Sequence, residues 1–235
     1  MIKAITLDLD DTLWPIAPVI ERAEQALADW LAEHCPEVAA AWPIPEMRRL
    51  RERIGADNPA LAHDFTRLRI LSLTEAFAPF RPEPVWAERA FEVFYAERNR
   101  VELYPEAHAS LTALAARFPL ASLSNGNADL GRCGIDQHFT HAISPREVGA
   151  AKPDPRIFAA AASRLGVDPA AIVHVGDDPE LDVLGAKAAG FVAVWINRND
   201  APWRHPVTPD ATIRTLDELH GVIERLHPNF RNAHG

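Results

Sequence analysis

The sequence predicts an α/β fold: a parallel sheet with helices on both faces, carrying an all-helical insertion after its first strand. Three observations predict it. Short apolar runs alternate with helical patterns after Tyr104-Pro105, and strand–helix alternation of that kind buries both faces of a parallel sheet. Residues 15–103 keep a helical period and contain no convincing strand. The first apolar run ends in a cluster of acids, where open parallel sheets hold their ligands.

The elements follow in order. The apolar run Ile2 to Leu9 reads as a buried strand. Ile20, Ala23, Leu27, Trp30 and Leu31 then fall on one helical face, as do Trp86, Ala90, Phe91 and Phe94 further on. Pro43-Ile44-Pro45, Asn58-Pro59 and Arg81-Pro82 punctuate that stretch, so about four helices are expected. Helices are predicted over 106–117, 155–165 and 180–189, and strands over 120–123, 172–175 and 192–196. The simplest assembly is an α/β core from residues 1–14 and 104–235 with a helical insertion over 15–103. The connection "NDAPWRHPV" after the last strand either borders the site or covers the sheet, and the terminal "HPNFRNAHG" is expected to fray.

Bulk properties exclude several classes. A net charge of −9 on 235 residues argues against nucleic acid, which needs a basic face. No apolar run reaches a membrane span, and acids arrive by Asp8, too early for a signal peptide. The two cysteines form neither a disulfide framework nor a metal-type spacing. A cytoplasmic monomer or small homo-oligomer is expected, with a small molecule as its partner.

The chemistry concentrates just beyond the strands. "ITLDLDDTLW" puts three carboxylates within four positions, a crowding that suits a cation or phosphate. Ser124-Asn125-Gly126-Asn127, Gly176-Asp177-Asp178 and the loop "GAAKPDP" occupy corresponding positions. Each has an ordinary reading as a turn or helix cap. Lysine, however, occurs only at Lys3, Lys152 and Lys187, and arginine is the default cation. A compact ammonium at Lys152 therefore points to a point-charge role against phosphate. Together these clusters supply the parts of a magnesium-dependent phosphoryl-transfer site: a nucleophilic carboxylate, a second acid, a hydroxyl and a lysine.

"DLDDT", "LSNGN", "AKPDPRIF" and "HVGDDPELD", in this order, resemble the four motifs of the haloacid dehalogenase-like superfamily. The resemblance implies a Rossmann-like core with a helical C1 cap. It implies that Asp8 is the nucleophile, forming an aspartyl-phosphate, and that Asp10 is the general acid/base. Mg2+ would be held by Asp8, the backbone carbonyl of Asp10 and Asp177, with Asp182 and Asp178 behind them. Ser124, with Asn125 beside it, would bind the phosphoryl group, and Lys152 would tie Asp8 to it. Asp11 is expected to turn away. Dehalogenases of the superfamily lack an acid two residues after the nucleophile and need no metal, so Asp10 favours phosphomonoester hydrolysis. Phosphonate-cleaving relatives need a cap lysine, and none lies between Trp14 and Leu103. A phosphosugar phosphatase or phosphomutase is less firmly excluded.

"HDFTRLR", with "LSNGNA" and "IVHVGDD", is similar to the superfamily's flavin-linked phosphatases, which act on 5-amino-6-(5-phospho-D-ribitylamino)uracil and flavin mononucleotide. Trp14, His63, Phe65 and Arg67 are then expected to meet the substrate ring, against the plainer reading that they pack or decorate the insertion. Hinges are expected near Trp14-Pro15 and Leu103-Tyr104-Pro105. From other classes, a catalytically silent binding protein of the same fold is disfavoured because every acid, the serine and the lysine are present. A phosphoryl-receiver domain would be about half this length, and a dinucleotide-binding domain lacks its G-x-G-x-x-G here.

Overall fold

The computed structural model describes residues 1–226, so the terminal nonapeptide expected to fray lies outside the described residues. The chain divides into two compact units. One comprises Met1–Pro15, Glu102–Gly126 and the chain from Gly134 onward; the other comprises Ile16–Val101 and Asn127–Cys133.

The first unit is built on a six-stranded sheet, ordered β3-β2-β1-β4-β5-β6 and parallel at every pairing. The strands are β1 (Ala4–Leu7), β2 (Leu120–Leu123), β3 (His141–Ile143), β4 (Ile172–Gly176), β5 (Val192–Ile196) and β6 (Ala211–Ile213). All residues of β1, β2 and β4 are buried, which explains why those runs read as mostly apolar stretches without alternation. The edge strands β3 and β6 were not expected. Each has three residues, only the last of them buried, so neither leaves a hydrophobic pattern.

The order matters for the site. Because β2, β1 and β4 are neighbours running in one direction, the residues following Leu123, Leu7 and Gly176 emerge side by side. Leu123, Ile157, Phe158, Val183 and Phe191 belong to the core packed on one face of that sheet.

The second unit is helical: α1 (Ile16–His34), α2 (Pro36–Ala41), α3 (Ile44–Asp57), α4 (Phe65–Phe77) and α5 (Pro84–Arg98). Its core gathers Leu27, Leu31, Leu50, Leu73, Phe77 and Phe94. There are five helices rather than about four, because Pro36 opens a short additional one at its first turn. The loop Asn127–Cys133 joins this unit rather than the sheet: the Asp129 N–H donates to Asn99 Oδ1 at 2.7 Å, and Asn127 Nδ2 to Thr66 Oγ1 at 3.1 Å.

Among the described residues, five helices complete the first unit: α6 (Ala107–Ala115), α7 (Pro145–Val148), α8 (Pro155–Leu165), α9 (Gly185–Ala188) and α10 (Leu219–Leu226). Helix α8 occupies the expected span. The helix expected over 180–189 is present, opening as a wide π-helical stretch over Pro179–Leu184 and running on into α9. The Val183 N–H reaches back to the Asp178 carbonyl, five residues away, which gives the stretch its π-type bonding. In the long connection after β5, Trp203 packs edge-on against Trp195 with centroids 5.0 Å apart, so this residue covers the sheet core. No helix among the described residues is long and apolar enough to cross a membrane.

Candidate active site

Asp8 follows β1, and its N–H continues the ladder to the Val175 carbonyl at 2.9 Å. That pairing anchors the residue at the C-terminal end of β1, 7% exposed. Lys152 Nζ, itself buried, donates to Asp8 Oδ1 at 2.8 Å and also to Asp182 Oδ1. Asp182 further accepts from His174 Nε2 at 3.0 Å and, through its other oxygen, from the Asp178 N–H at 2.9 Å. Thr6 Oγ1 lies 2.9 Å from His174 Nδ1 and completes a buried chain, Thr6–His174–Asp182–Lys152–Asp8.

Gly176 makes this chain possible. A Cβ there would stand 2.1 Å from Asp182 Cγ, so only glycine lets that carboxylate lie against the end of β4. The wide turn after Asp178 swings Asp182 back toward the strand, while Asp178 caps the turn by accepting from the Glu180 and Leu181 N–H groups, each at 2.8 Å.

Lys152 is positioned by Asn125. The Asn125 amide donates to the Lys152 carbonyl at 2.9 Å and accepts from its N–H at 2.7 Å. The loop after β2 and the lysine loop are thereby clipped together. Ser124 Oγ accepts from the Gly126 N–H at 3.2 Å, which turns the hydroxyl's own proton outward to a further acceptor.

The electrostatics are strained in one direction. Burial raises the Asp8 carboxyl, and Asp182 and Asp10 push the same way against Lys152. Burial, with Asp182, Asp8 and Asp11 nearby, raises Asp177 to about 8. Asp182 escapes this: burial opposes its ionisation, yet Lys152 and His174 hold it well below the usual carboxylate range. Oxygens of Asp8, Asp177 and Asp182 all lie within 4.8 Å of one another. Two of these three carboxylates therefore resist ionising near neutrality unless a cation joins them.

The remaining expected residues sort clearly. Trp14 is fully buried and its indole N–H donates to Asp10 Oδ1 at 2.9 Å; it can orient Asp10 but presents no ring face to a ligand. Asp11 takes a left-handed φ of 57°, and its N–H donates to the Trp14 carbonyl at 2.7 Å, closing the loop that carries Asp10. His63 is half-buried, Phe65 is 50% exposed, and Arg67 is exposed with its backbone N–H donating to Asp64 at the start of α4. The two chain crossings meet where the Tyr104 N–H donates to the Leu13 carbonyl at 2.9 Å.

Four contributors were not anticipated. His174 joins the buried chain. Thr12 Oγ1 donates to Asp177 Oδ1 at 3.4 Å, and Trp195 Nε1 donates to the Asp177 carbonyl at 2.7 Å. Arg198 stacks on Tyr104 and donates through Nη2 to the Thr12 carbonyl and to Glu106, each at 2.8 Å, bracing the loop after β1 from outside. Arg198 follows β5, another strand end on the ligand side, and that position was the available signal.

Comparison with known proteins agrees with this geometry. The haloacid dehalogenase-like hydrolase family matches residues 2–190. The chain is 31% identical to the 5-amino-6-(5-phospho-D-ribitylamino)uracil phosphatase YigB of Escherichia coli (strain K12), covering 94% of this chain and 96% of that protein. It is 41% identical to a phosphoserine phosphatase of Thermus thermophilus, covering 92% and 97%. Among solved structures, a 2-haloacid dehalogenase from Pseudomonas syringae pv. Tomato DC3000 superimposes with a TM-score of 0.91 at 40% identity, covering 96% of this chain and all of that one. With the family matched over most of the chain and the motif residues following the ends of neighbouring strands, the chain belongs to the haloacid dehalogenase-like hydrolases.

Proposed function

We propose that this protein is a Mg2+-dependent phosphomonoester hydrolase that works through an aspartyl-phosphate on Asp8. The observation that carries the proposal is the pairing of Asp8 and Asp177 at the ends of β1 and β4: their oxygens lie within 4.8 Å of each other and of Asp182, and their ionisation is opposed by burial and by the acids around them. Hard oxygen donors in that number fit a small divalent cation. Asp8, the Asp10 carbonyl and Asp177 would hold it, since Asp182 is already engaged by Lys152, His174 and the Asp178 N–H. When bound, the ion supplies positive charge between nucleophile and phosphate.

The residues divide the chemistry. An Asp8 oxygen attacks phosphorus, and the alkoxide that leaves takes the proton of Asp10. Asp10 then removes a proton from water, whose oxygen attacks the same phosphorus and returns Asp8 as a free carboxylate. Trp14 fixes the oxygen of Asp10 that faces it. Lys152 keeps Asp8 oriented and offsets charge on the phosphoryl oxygens, and the Ser124 hydroxyl donates to one of them. Asn125 serves by holding Lys152.

The helical unit is proposed to act as a cap over the substrate, and the substrate is a small phosphorylated metabolite handled in the cytoplasm. The E. coli relative supports a ribitylaminouracil or flavin phosphate, with Phe65, His63 and Arg67 as ring contacts. The Thermus relative, at higher identity, supports phosphoserine as a second reading. The dehalogenase of similar fold supports carbon–halogen cleavage as a third, against which Asp10 stands.

One assay separates these. Purified protein with Mg2+ is expected to release phosphate from p-nitrophenyl phosphate and no chloride from 2-chloropropionate, and a panel of metabolite phosphates then ranks flavin-type compounds against phosphoserine. Chloride release, or phosphate release that survives Asp8→Asn, refutes the reaction class; preference for phosphoserine refutes the flavin assignment alone.

A further inference from the structure

A small cleft, partly open to solvent, lies wholly within the helical unit, among α1, α3, α4 and Trp42. Its apolar lining includes Leu27, Leu31, Trp42, Ile44 and Met47. Its polar lining is Glu24, Arg48, Arg51 and Arg69. Three cations against one carboxylate is an unusual balance for a chain with net charge −9.

Glu24 cannot satisfy all three. Arg48 Nε donates to its Oε2 at 2.7 Å, and Arg51 Nη1 stands 3.6 Å from its Oε1. Arg69 has neither contact. It is 8% exposed, and its guanidinium carbon lies 3.4 Å above the centre of the Phe94 ring. That stacking covers a face of the guanidinium and leaves the in-plane N–H donors unaddressed. Among the described residues none accepts from this guanidinium, yet none of its nitrogens is sealed away without a partner. Its donors therefore open on the cleft that Arg69 lines. Burial, with Arg51 and Arg98 nearby, lowers Arg69 to about 9, so an anion at this spot relieves an existing strain.

We propose that this cleft is a binding site for a small amphiphilic carboxylate, its headgroup bidentate on Arg69 with Arg51 beside it and its apolar body along Leu27, Leu31, Trp42, Ile44 and Met47. The planar fork of arginine matches a carboxylate, and the apolar lining selects an acid with a short hydrocarbon or aromatic body over a bare anion. The site does not depend on the phosphatase reading, since no residue of the proposed catalytic set lines it.

The test is calorimetric titration of the full chain with sodium octanoate, with sodium acetate and 1-octanol as probes lacking the body or the charge. Octanoate is expected to bind at least about tenfold more tightly than either control, the size expected for hydrogen bonds to a charged group. Arg69→Gln is expected to remove that preference, and Arg51→Gln, at a more exposed position, to weaken octanoate several-fold while the fold is intact. Equal affinity for octanoate and 1-octanol in the unaltered chain overturns the proposal, and so does undiminished octanoate binding in a folded Arg51→Gln or Arg69→Gln variant.

Discussion

The loops after β1, β2 and β4 and the first turn of α4 hold the two groups of candidate residues, and they are built in opposite ways. Around Asp8 the polar side chains are buried and bonded to one another: Thr6, His174, Asp182, Lys152 and Asp8 form one chain, with Asn125 clipping Lys152 from behind. At α4, Phe65 and Arg67 stand exposed, and Arg67 is tied down only through its backbone N–H. A residue in the first group cannot lose its hydrogen-bonding group without disturbing its neighbours. Residues in the second carry no structural duty, so they can be exchanged without refolding. On the proposed function, the rigid group carries the reaction and the loose one is where substrate preference can vary.

Breaking the rigid group is expected to have the largest effects. Asp8→Asn removes the nucleophile and lowers phosphate release by about ten-thousandfold or more, while thermal melting holds or rises because a carboxyl that resists ionising is gone. Lys152→Met leaves Asp8 and Asp182 facing each other without their shared cation, and chemical denaturation is expected to show a loss of about 3–5 kcal/mol. Gly176→Ala forces a methyl into Asp182, costing about 1–3 kcal/mol by the same measurement and lowering kcat with it. Trp14→Phe keeps the buried ring but drops the hydrogen bond to Asp10; kcat is expected to fall with KM unchanged. At the far end, Phe65→Ala and Arg67→Ala are expected to change stability by no more than about 0.5 kcal/mol and to act on KM alone. An α4 variant that unfolded the protein, or a Lys152→Met variant as stable as the parent, would erase the contrast.

The same contrast governs what the sequence made legible. Strands β2 and β5 lie where their apolar runs predict, and Asp8, Ser124, Lys152 and Asp177 stand at the ends of elements whose patterns are strong. What stayed hidden was of two kinds. Edge strands β3 and β6 bury one residue each, too little to impose a period. Partners such as His174, Trp195 and Arg198 gain their roles from contacts 8 to 186 residues away in the chain, which no local pattern encodes. His174 did leave a trace, as a polar residue inside the otherwise apolar "IVHVG" of β4. The unpartnered Arg69 left none, since its environment is set by Phe94 and Arg51 on other helices.

The central claim is that the acids around Asp8 are arranged for a divalent cation, and melting temperature against pH, with and without Mg2+, tests it most directly. Asp177 is raised in the folded protein from 3.8 to about 8, so the folded state holds its proton more tightly than the unfolded chain does. The stability this contributes is fully present below pH 3.8 and is lost as pH rises through about 8. Metal-free protein is therefore predicted to melt at progressively lower temperature from pH 5 to pH 8 as this group ionises, and saturating Mg2+ to raise the melting temperature most at the alkaline end, flattening the curve. Curves that coincide with and without Mg2+ would contradict the account.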